Sequence, residues 1–319
     1  QCHIIGNRVT AVGGHGINLR APVNSAMIKN NFIEDVGLGG IVMGEESSAQ
    51  NLCVENNQIR DVGGEPNSDQ TVALAGIRLV DSKNGEVVNN SIIGVGLRAP
   101  NQRPVAIQLI GCEAVRVAGN SALDIGPVEG NHTGAGIESV GTFDRLQIVG
   151  NTVRRSQTQT KLIDGAQWYA VVVSGARTVP PRLRAFSNFF AAKSNTSFIL
   201  SDAKVIARPL GRELVSLHDN HFDAYGAAQA VLIAISGACT FNDNRCLLLA
   251  LARSAVAVTA QSAIVNANHV TNESDVSFSV DLSLPERALF TVVGNVTTRL
   301  IGVNGNQIPA PWTALNVHQ

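Results

Sequence analysis

Histidine, aspartate and arginine side chains recur at fixed offsets from an asparagine in the second half of the chain. His221, Arg245 and His269 each follow such an asparagine by one residue, and Asp219 and Asp243 precede one. Histidine and aspartate can transfer protons, and an arginine beside them can bind an acidic group. If the fold stacks these segments, the set could bind an acidic sugar or a metal, or transfer protons.

Two further sets share a position in the first half of the chain. Asp35 and Asp61 occupy one position and could bind a cation, whereas Arg78, Gln108 and Glu138 occupy another and could frame a sugar site. Each of the three sets also fits an ordinary solvated face, since outward-pointing polar residues need no function.

The asparagines that define these positions form an internal repeat. The unit is seen in full in "NNFIEDVGLGGIVM", residues 30–43, where an apolar residue follows the asparagine by two places and a Val-Gly pair comes next. A repeat of this size indicates a solenoid or a propeller. Eleven asparagines anchor the repeat: Asn7, Asn31, Asn57, Asn90, Asn120, Asn151, Asn188, Asn220, Asn244, Asn268 and Asn295.

Apolar residues alternate with polar ones on both sides of each anchor. Examples are Leu52 and Val54 before Asn57, Ile59 after it, and a second run that begins with "GIRL" at Gly76. Such alternation predicts short strands with one buried face. One repeat is too small to bury that face alone, so successive repeats must stack as coils, with strands about 4.8 Å apart.

The anchor asparagines and the glycines after the valines suit tight bends. Asparagine tolerates a left-handed backbone, and its amide can bond to the asparagine of the next coil, which predicts an asparagine ladder. The Val-Gly or Ile-Gly pairs at Val36, Val62, Val95 and Ile125 predict a second bend.

The Asn-x-[Val/Ile]-x-x-Val-Gly frame at Asn7, Asn31, Asn57 and Asn90 resembles that of the right-handed parallel β-helix repeat proteins, the pectate-lyase-like superfamily. The resemblance implies an all-β fold, a right-handed parallel β-helix (solenoid) of about eleven coils with an extended C-terminal tail. The superfamily includes lyases, hydrolases, epimerases, phage tailspikes, adhesins and structural rods, so the fold alone does not fix a function.

We predict that the β-helix spans residues 1–304, with an irregular, loop-rich part at 156–213, and that residues 305–319 form a tail or cap. A tail could cover the open end, because an uncovered end exposes unpaired strand edges. The chain starts within a repeat, so we interpret it as the C-terminal part of a longer protein.

Extra residues enter the third to seventh coils after the Val-Gly position. Insertions at one point of the frame project from one edge of a solenoid, which is commonly the binding edge. The residues that we predict for this ligand-binding loop edge are Asp69, Arg98, Arg103, His132, Lys161, Asp164 and Trp168.

Two short strings resemble elements of polysaccharide-active enzymes. "RAPNQR", from Arg98 to Arg103, resembles the Arg-x-Pro-x-x-Arg string of pectate lyases, in which an arginine acts as base or stabilises a carbanion beside a uronate carboxylate. No Trp-x-Asp-His element or calcium-binding aspartate cluster accompanies it, so calcium is unsupported and a solvated loop is the alternative. "GGHG" resembles the Gly-His-Gly of polygalacturonases, but their acidic elements are missing and His15 reads as a bend residue. The catalytic candidates are thus Asp219, His221, Arg245, His269, Arg98 and Arg103.

Composition excludes several classes of function. The net charge is -1 and charged residues make up 15%, which favours neither nucleic acid nor an anionic membrane. No apolar run reaches the roughly 18 residues of a membrane span. Five cysteines without a CxxC pair indicate buried free thiols rather than a disulfide framework or a zinc site.

Two principal hypotheses follow. The first is a non-catalytic β-helix shaft or spike, extracellular or mounted on a cell surface or phage-like tail, with a homotrimer and glycan binding through the loop edge as options. The second is a polysaccharide lyase or glycoside hydrolase that acts on an acidic glycan. A third option is that the loop edge binds partner protein subunits.

Overall fold

The computed structural model describes residues 1–319 except 45, 64–73, 100–101, 127–133, 142, 156–167, 175–181, 193–197, 202–213, 226–229, 236, 250–253 and 274–277. The chain winds through three sheets in turn, and each strand pairs in parallel with the equivalent strand of the next coil. The predicted all-β, parallel β-helical architecture is therefore confirmed.

Sheet A precedes the anchor asparagine in each coil. Its eleven strands, among the residues described, are β1 (Cys2–Ile5), β4 (Val23–Lys29), β7 (Ala49–Glu55), β10 (Ser82–Val88), β13 (Ala114–Ala118), β16 (Arg145–Val149), β19 (Arg182–Phe186), β22 (Leu214–His218), β25 (Ala238–Asn242), β28 (Ser262–Asn266) and β31 (Phe290–Val293).

Sheet B follows the anchor asparagine. Its twelve described strands are β2 (Arg8–Val12), β5 (Phe32–Val36), β8 (Gln58–Val62), β11 (Ser91–Val95), β14 (Ser121–Leu123), β17 (Thr152–Arg154), β20 (Phe189–Ala192), β23 (His221–Tyr225), β26 (Arg245–Leu249), β29 (His269–Asn272), β32 (Val296–Thr297) and β35 (Val317–His318).

Sheet C completes each coil. Its twelve described strands are β3 (His15–Leu19), β6 (Gly39–Met43), β9 (Leu74–Val80), β12 (Pro104–Ile110), β15 (Gly134–Val140), β18 (Trp168–Ser174), β21 (Phe198–Ser201), β24 (Val231–Ala234), β27 (Val256–Thr259), β30 (Phe278–Ser283), β33 (Leu300–Val303) and β34 (Asn306–Gln307). The last pair, β33 and β34, is antiparallel.

The core runs along the axis of the stack. Inward-facing residues of equivalent strands lie in register, as Ile28, Val54 and Val87 do in sheet A, and all three are fully buried. Stacking therefore buries the apolar face that a single repeat leaves exposed.

The turn between sheets A and B has a left-handed residue, but it is not the anchor asparagine. The residue before each of the eleven anchors has a positive φ, from 53° at Ser187 to 71° at Gly294. The expectation that the anchor itself adopts this conformation is wrong. Residues at the preceding position include glycine, asparagine and aspartate, which tolerate a left-handed backbone best.

The anchor asparagines form a continuous ladder. Each Nδ2 donates to Oδ1 of the next anchor at 2.8–3.1 Å. In most rungs Nδ2 also donates to a main-chain carbonyl of the preceding coil, as Asn120 does to Val87 at 2.8 Å. The anchors from Asn31 onward are buried, so the ladder satisfies amides that water cannot reach.

The second bend, between sheets B and C, lies at the predicted glycines, and three of the four have a left-handed backbone whereas Gly37 does not. Gly63, Gly96 and Gly126 have φ between 72° and 94°. A Cβ at Gly63 would overlap Leu74, and a Cβ at Gly96 would lie 2.7 Å from Pro104. The first residues of the sheet C strands thus fill the space that the glycines leave.

The C-terminal segment packs onto the last coil. Ile308 is buried, and a 3₁₀-helix, Trp312–Leu315, places the Trp312 ring 5.9 Å from the ring of Phe290. Beyond the helix, β35 pairs with β32 in sheet B. The boundary between residues 304 and 305 remains a prediction. Among the described residues, no helix has the length and hydropathy needed to cross a membrane.

Candidate functional site

The described part of the loop edge consists of Arg98, Arg103 and Trp168. The other predicted residues, Asp69, His132, Lys161 and Asp164, lie outside the described residues. The two arginines enclose the "RAPNQR" string, so their positions test whether that string forms one site.

Arg98 lies against sheet B. Its guanidinium is 3.8 Å from the carboxylate of Asp35, and both side chains are mostly exposed, at 68% and 56%. Asp35 and Asp61 have φ of 53° and 50°, immediately before buried valines of β5 and β8. Aspartate at these positions therefore suits the left-handed backbone, and the Asp35 carboxylate has a cationic partner.

Arg103 instead lies against sheet C, where it forms an ion pair with Glu138. Glu138 is fully buried and also accepts a hydrogen bond from Nε2 of Gln108 at 2.8 Å. Arg78, Gln108 and Glu138 stand side by side on β9, β12 and β15, as the sequence predicts. The row is a buried polar network beneath the loop edge, and Arg103 neutralises its carboxylate.

Trp168 is not available at the loop edge. It is the first residue of β18, it is 1% exposed, and it belongs to the continuous hydrophobic core. Trp168 is in register with Gly134 on the neighbouring strand. Its ring occupies space that side chains at Gly126 and Gly134 would otherwise fill. Its assignment to the ligand-binding edge is corrected to a core position.

His15 begins β3, where it pairs with Gly39, and the prediction of a bend residue is wrong. Partial burial lowers the pKa of its imidazole, and the nearby Arg20 and Arg78 lower it further. The neutral form of His15 is therefore favoured on the outer face of sheet C.

The second predicted cluster lies along the turn between sheets A and B. His221, Arg245 and His269 are in register on β23, β26 and β29, as the repeat predicts. A cleft of about 390 Å³ runs past this turn, and its lining includes Asp219 and Asp243. The structure thus brings the candidate side chains to one surface.

Two of the candidate side chains at this turn cleft, His221 and Asp219, have a defined polar contact. Nε2 of His221 lies 2.7 Å from Oδ1 of Asp223, two residues along the same strand. Asp219 accepts a hydrogen bond from Oγ of Ser187 at 2.8 Å. Asp219 and Asp243 also have φ of 54° and 56°, so both occupy the left-handed position before an anchor. Backbone conformation alone accounts for aspartate there.

Within the described ranges, no three histidine, cysteine, aspartate or glutamate side chains gather as a metal site would require. All five cysteines are free, and Cys112, Cys239 and Cys246 are buried. Burial raises the pKa of the Cys112 thiol to about 11 and that of Cys239 to about 12, which keeps both protonated at neutral pH.

Three features of the structure are not among the predictions from the sequence. The Glu138–Arg103 pair joins a strand to an insertion 35 residues away, and no local pattern indicates it. Asp223 could have been found, because alternation in a strand places it on the same face as His221. Asn316 extends the ladder, but it follows a segment without the frame of the other anchors.

The comparisons with known proteins identify the scaffold alone. A family model described as "Right handed beta helix region" matches residues 1–172. No curated protein and no solved structure matches the chain. Together with three parallel sheets and a continuous asparagine ladder, the match shows that the chain belongs to the right-handed β-helix family.

Proposed function

We propose that the protein is a non-catalytic β-helix shaft that binds a glycan through its loop edge. The observation that carries the proposal is the divergence of the two arginines of "RAPNQR". Arg98 pairs with Asp35 over sheet B, and Arg103 pairs with Glu138 over sheet C. The pectate-lyase reaction needs an arginine directed at the carbon that loses its proton. Here Arg103 is paired with a buried carboxylate and Arg98 lies over a different sheet, so the two arginines do not converge on one carbon.

The continuity of the stack supports a shaft. The ladder links successive coils without interruption from Asn7 to Asn316, and each rung bonds side chain to side chain and side chain to main chain. A solenoid held in this way resists local opening along its length. The exposed surface of Arg98 supports glycan binding at the loop edge, because a guanidinium can bind sugar hydroxyls and carboxylates.

Incubation with a panel of uronic-acid polymers, with and without calcium, tests the proposal. We expect binding in a co-sedimentation assay and no increase in unsaturated or reducing ends over buffer. Arg98→Ala should weaken binding more than Arg154→Ala, a control that removes an exposed arginine from sheet B. New ends would reject the shaft and support the alternative, a polysaccharide lyase or hydrolase.

A further inference from the structure

Sheet A carries a groove on its outward face, separate from the loop edge and the turn cleft. The groove encloses about 450 Å³ and crosses five successive strands, β4, β7, β10, β13 and β16. Four strand spacings of about 4.8 Å give it a length of about 19 Å along the stack. It is therefore long enough for an extended polymer.

One row of the groove combines small and amide side chains. Ser25, Asn51, Asn84 and Ala114 are in register on adjacent strands. Asn84 donates from Nδ2 to Oδ1 of Asn51 at 3.4 Å, and both side chains are exposed. Because Ser25 and Ala114 have short side chains, the surface is depressed at their positions, and the amides present hydrogen-bond donors and acceptors along the depression.

The adjoining row becomes basic toward the C-terminal coils. Glu86 and Arg116 lie on adjacent strands, 4.0 Å apart, with side chains 56% and 47% exposed. Gln147 follows Arg116 in register, and Arg184 continues this row beyond the groove. Arg145 ends the amide row instead, in register with Ala114. Because the single ion pair is long and solvated, Arg116 keeps most of its capacity to bind an anion.

The side chains of these two rows favour a glycan over a peptide as the ligand of the groove. A peptide strand would need unpaired main-chain groups, but the interior strands of sheet A pair with a neighbour on each side. The groove presents amides on β7 and β10 and arginines on β13 and β16, which matches a polymer that carries hydroxyl and acidic groups along its length. The arginines complement negative charge, and the amides complement hydroxyls.

We propose that the groove on sheet A is a second glycan-binding site and that its ligand is a linear anionic glycan. Asn51 and Asn84 bind the sugar hydroxyls, and Arg116 and Arg145 bind the carboxylate or sulfate groups. The proposal rests on the proposed function for the general ligand class, and it adds the charge of the ligand and a second surface.

Calorimetric titration with a hexamer of galacturonate, and with a neutral glucose hexamer, tests this site. Wild type should bind the galacturonate hexamer more tightly, and added salt should weaken that binding. Arg116→Ala/Arg145→Ala should lose about tenfold in affinity, since it removes two charge-assisted contacts. Arg154→Ala/Arg287→Ala is the matched control, because it removes the same charge from exposed positions elsewhere.

A second variant blocks the groove without changing charge. Asn84→Trp places a large ring at an exposed position, so the fold should persist while binding in the groove is lost and binding at the loop edge remains. Equal affinities for the groove and control variants, or no binding of the galacturonate hexamer by wild type, would overturn the second site. Loss of binding in Arg98→Ala alone would also overturn it and leave the proposed function standing, whereas cleavage of the polymer rejects the proposed function independently.

Discussion

Asn316 receives two hydrogen bonds from Asn295 on its Oδ1, one from the backbone N–H at 3.0 Å and one from Nδ2 at 2.8 Å. Nδ2 of Asn316 in turn donates to the carbonyl of Val292 at 3.0 Å. These contacts repeat those of the ten anchors from Asn31 to Asn295. The C-terminal segment is thus joined to the stack by the same device that joins the coils.

Asn316→Ala should release this segment. The variant leaves two buried donors of Asn295 without their acceptor, at a cost of about 1–3 kcal/mol for each unsatisfied group. Amide hydrogen exchange should therefore become faster in residues 305–319, while the early coils keep their protection. Unchanged exchange in the segment would show that Ile308 and Trp312 hold it without the ladder.

Removing a central rung should destabilise the whole stack. Asn120→Ala deprives two donors of Asn90 and the carbonyl of Val87 of their partners. We expect a loss of about 3 kcal/mol, measured as a lower urea midpoint. Asn84→Ala is the control, because it removes an exposed asparagine and should leave the midpoint within error.

The buried carboxylate should depend on its cation. Arg103→Ala leaves the buried Glu138 carboxyl without its cation, and we expect a loss of about 3 kcal/mol in the free energy of unfolding. Adding Glu138→Gln to this variant should recover much of the loss, because a neutral amide needs no counter-ion. If the second substitution brings no recovery, the ion pair is not the source of the effect.

The close approach of coils at Gly37 gives a steric prediction. A Cβ at Gly37 would overlap the carbonyl oxygen of Gly13, whereas a Cβ at Gly14 meets nothing within 4 Å. Gly37→Ala should therefore lower stability by about 1–3 kcal/mol. Gly14→Ala should be neutral or slightly stabilising, and equal effects of the two in thermal unfolding would contradict the packing described.

The buried thiols should make stability depend on pH in the alkaline range. An unfolded cysteine thiol ionises near its ordinary pKa of 9.0, whereas burial raises the pKa of Cys112 to about 11 and that of Cys239 to about 12. The unfolded chain releases these protons first, so stability is complete below pH 9 and falls as pH rises toward the folded values.

The urea midpoint should therefore fall between about pH 9 and about pH 11, and it should fall less in a Cys112→Ala/Cys239→Ala variant. Other groups titrate equally in both proteins, so the difference in slope isolates the thiols. Parallel slopes would contradict the assigned burial.

The fold was accessible from the sequence because one physical requirement recurs in every coil. Asn57 marks a bend and Ile59 marks a buried face, so position in the repeat predicts register across distant segments, including that of His221, Arg245 and His269. A contact between an insertion and a strand does not recur from coil to coil, so the repeat cannot predict it. The pairing of Arg103 with Glu138 and the burial of Trp168 therefore had no signal in the repeat.

The groove on sheet A was missed for a related reason. Its residues occupy outward positions, where alternation predicts exposure but does not distinguish a ligand surface from a solvated face. Only the register of Arg145 with Ala114, and the position of Arg116 on the same face beside them, shows a shaped surface.

We propose that the protein holds an anionic glycan without cutting it. The most direct test is mass spectrometry of ligand recovered from a complex with the galacturonate hexamer after prolonged incubation. We predict that the ligand is recovered bound and intact, with the mass of the starting hexamer. Shorter oligomers, unsaturated or hydrolysed, would contradict it and show that the β-helix is an enzyme.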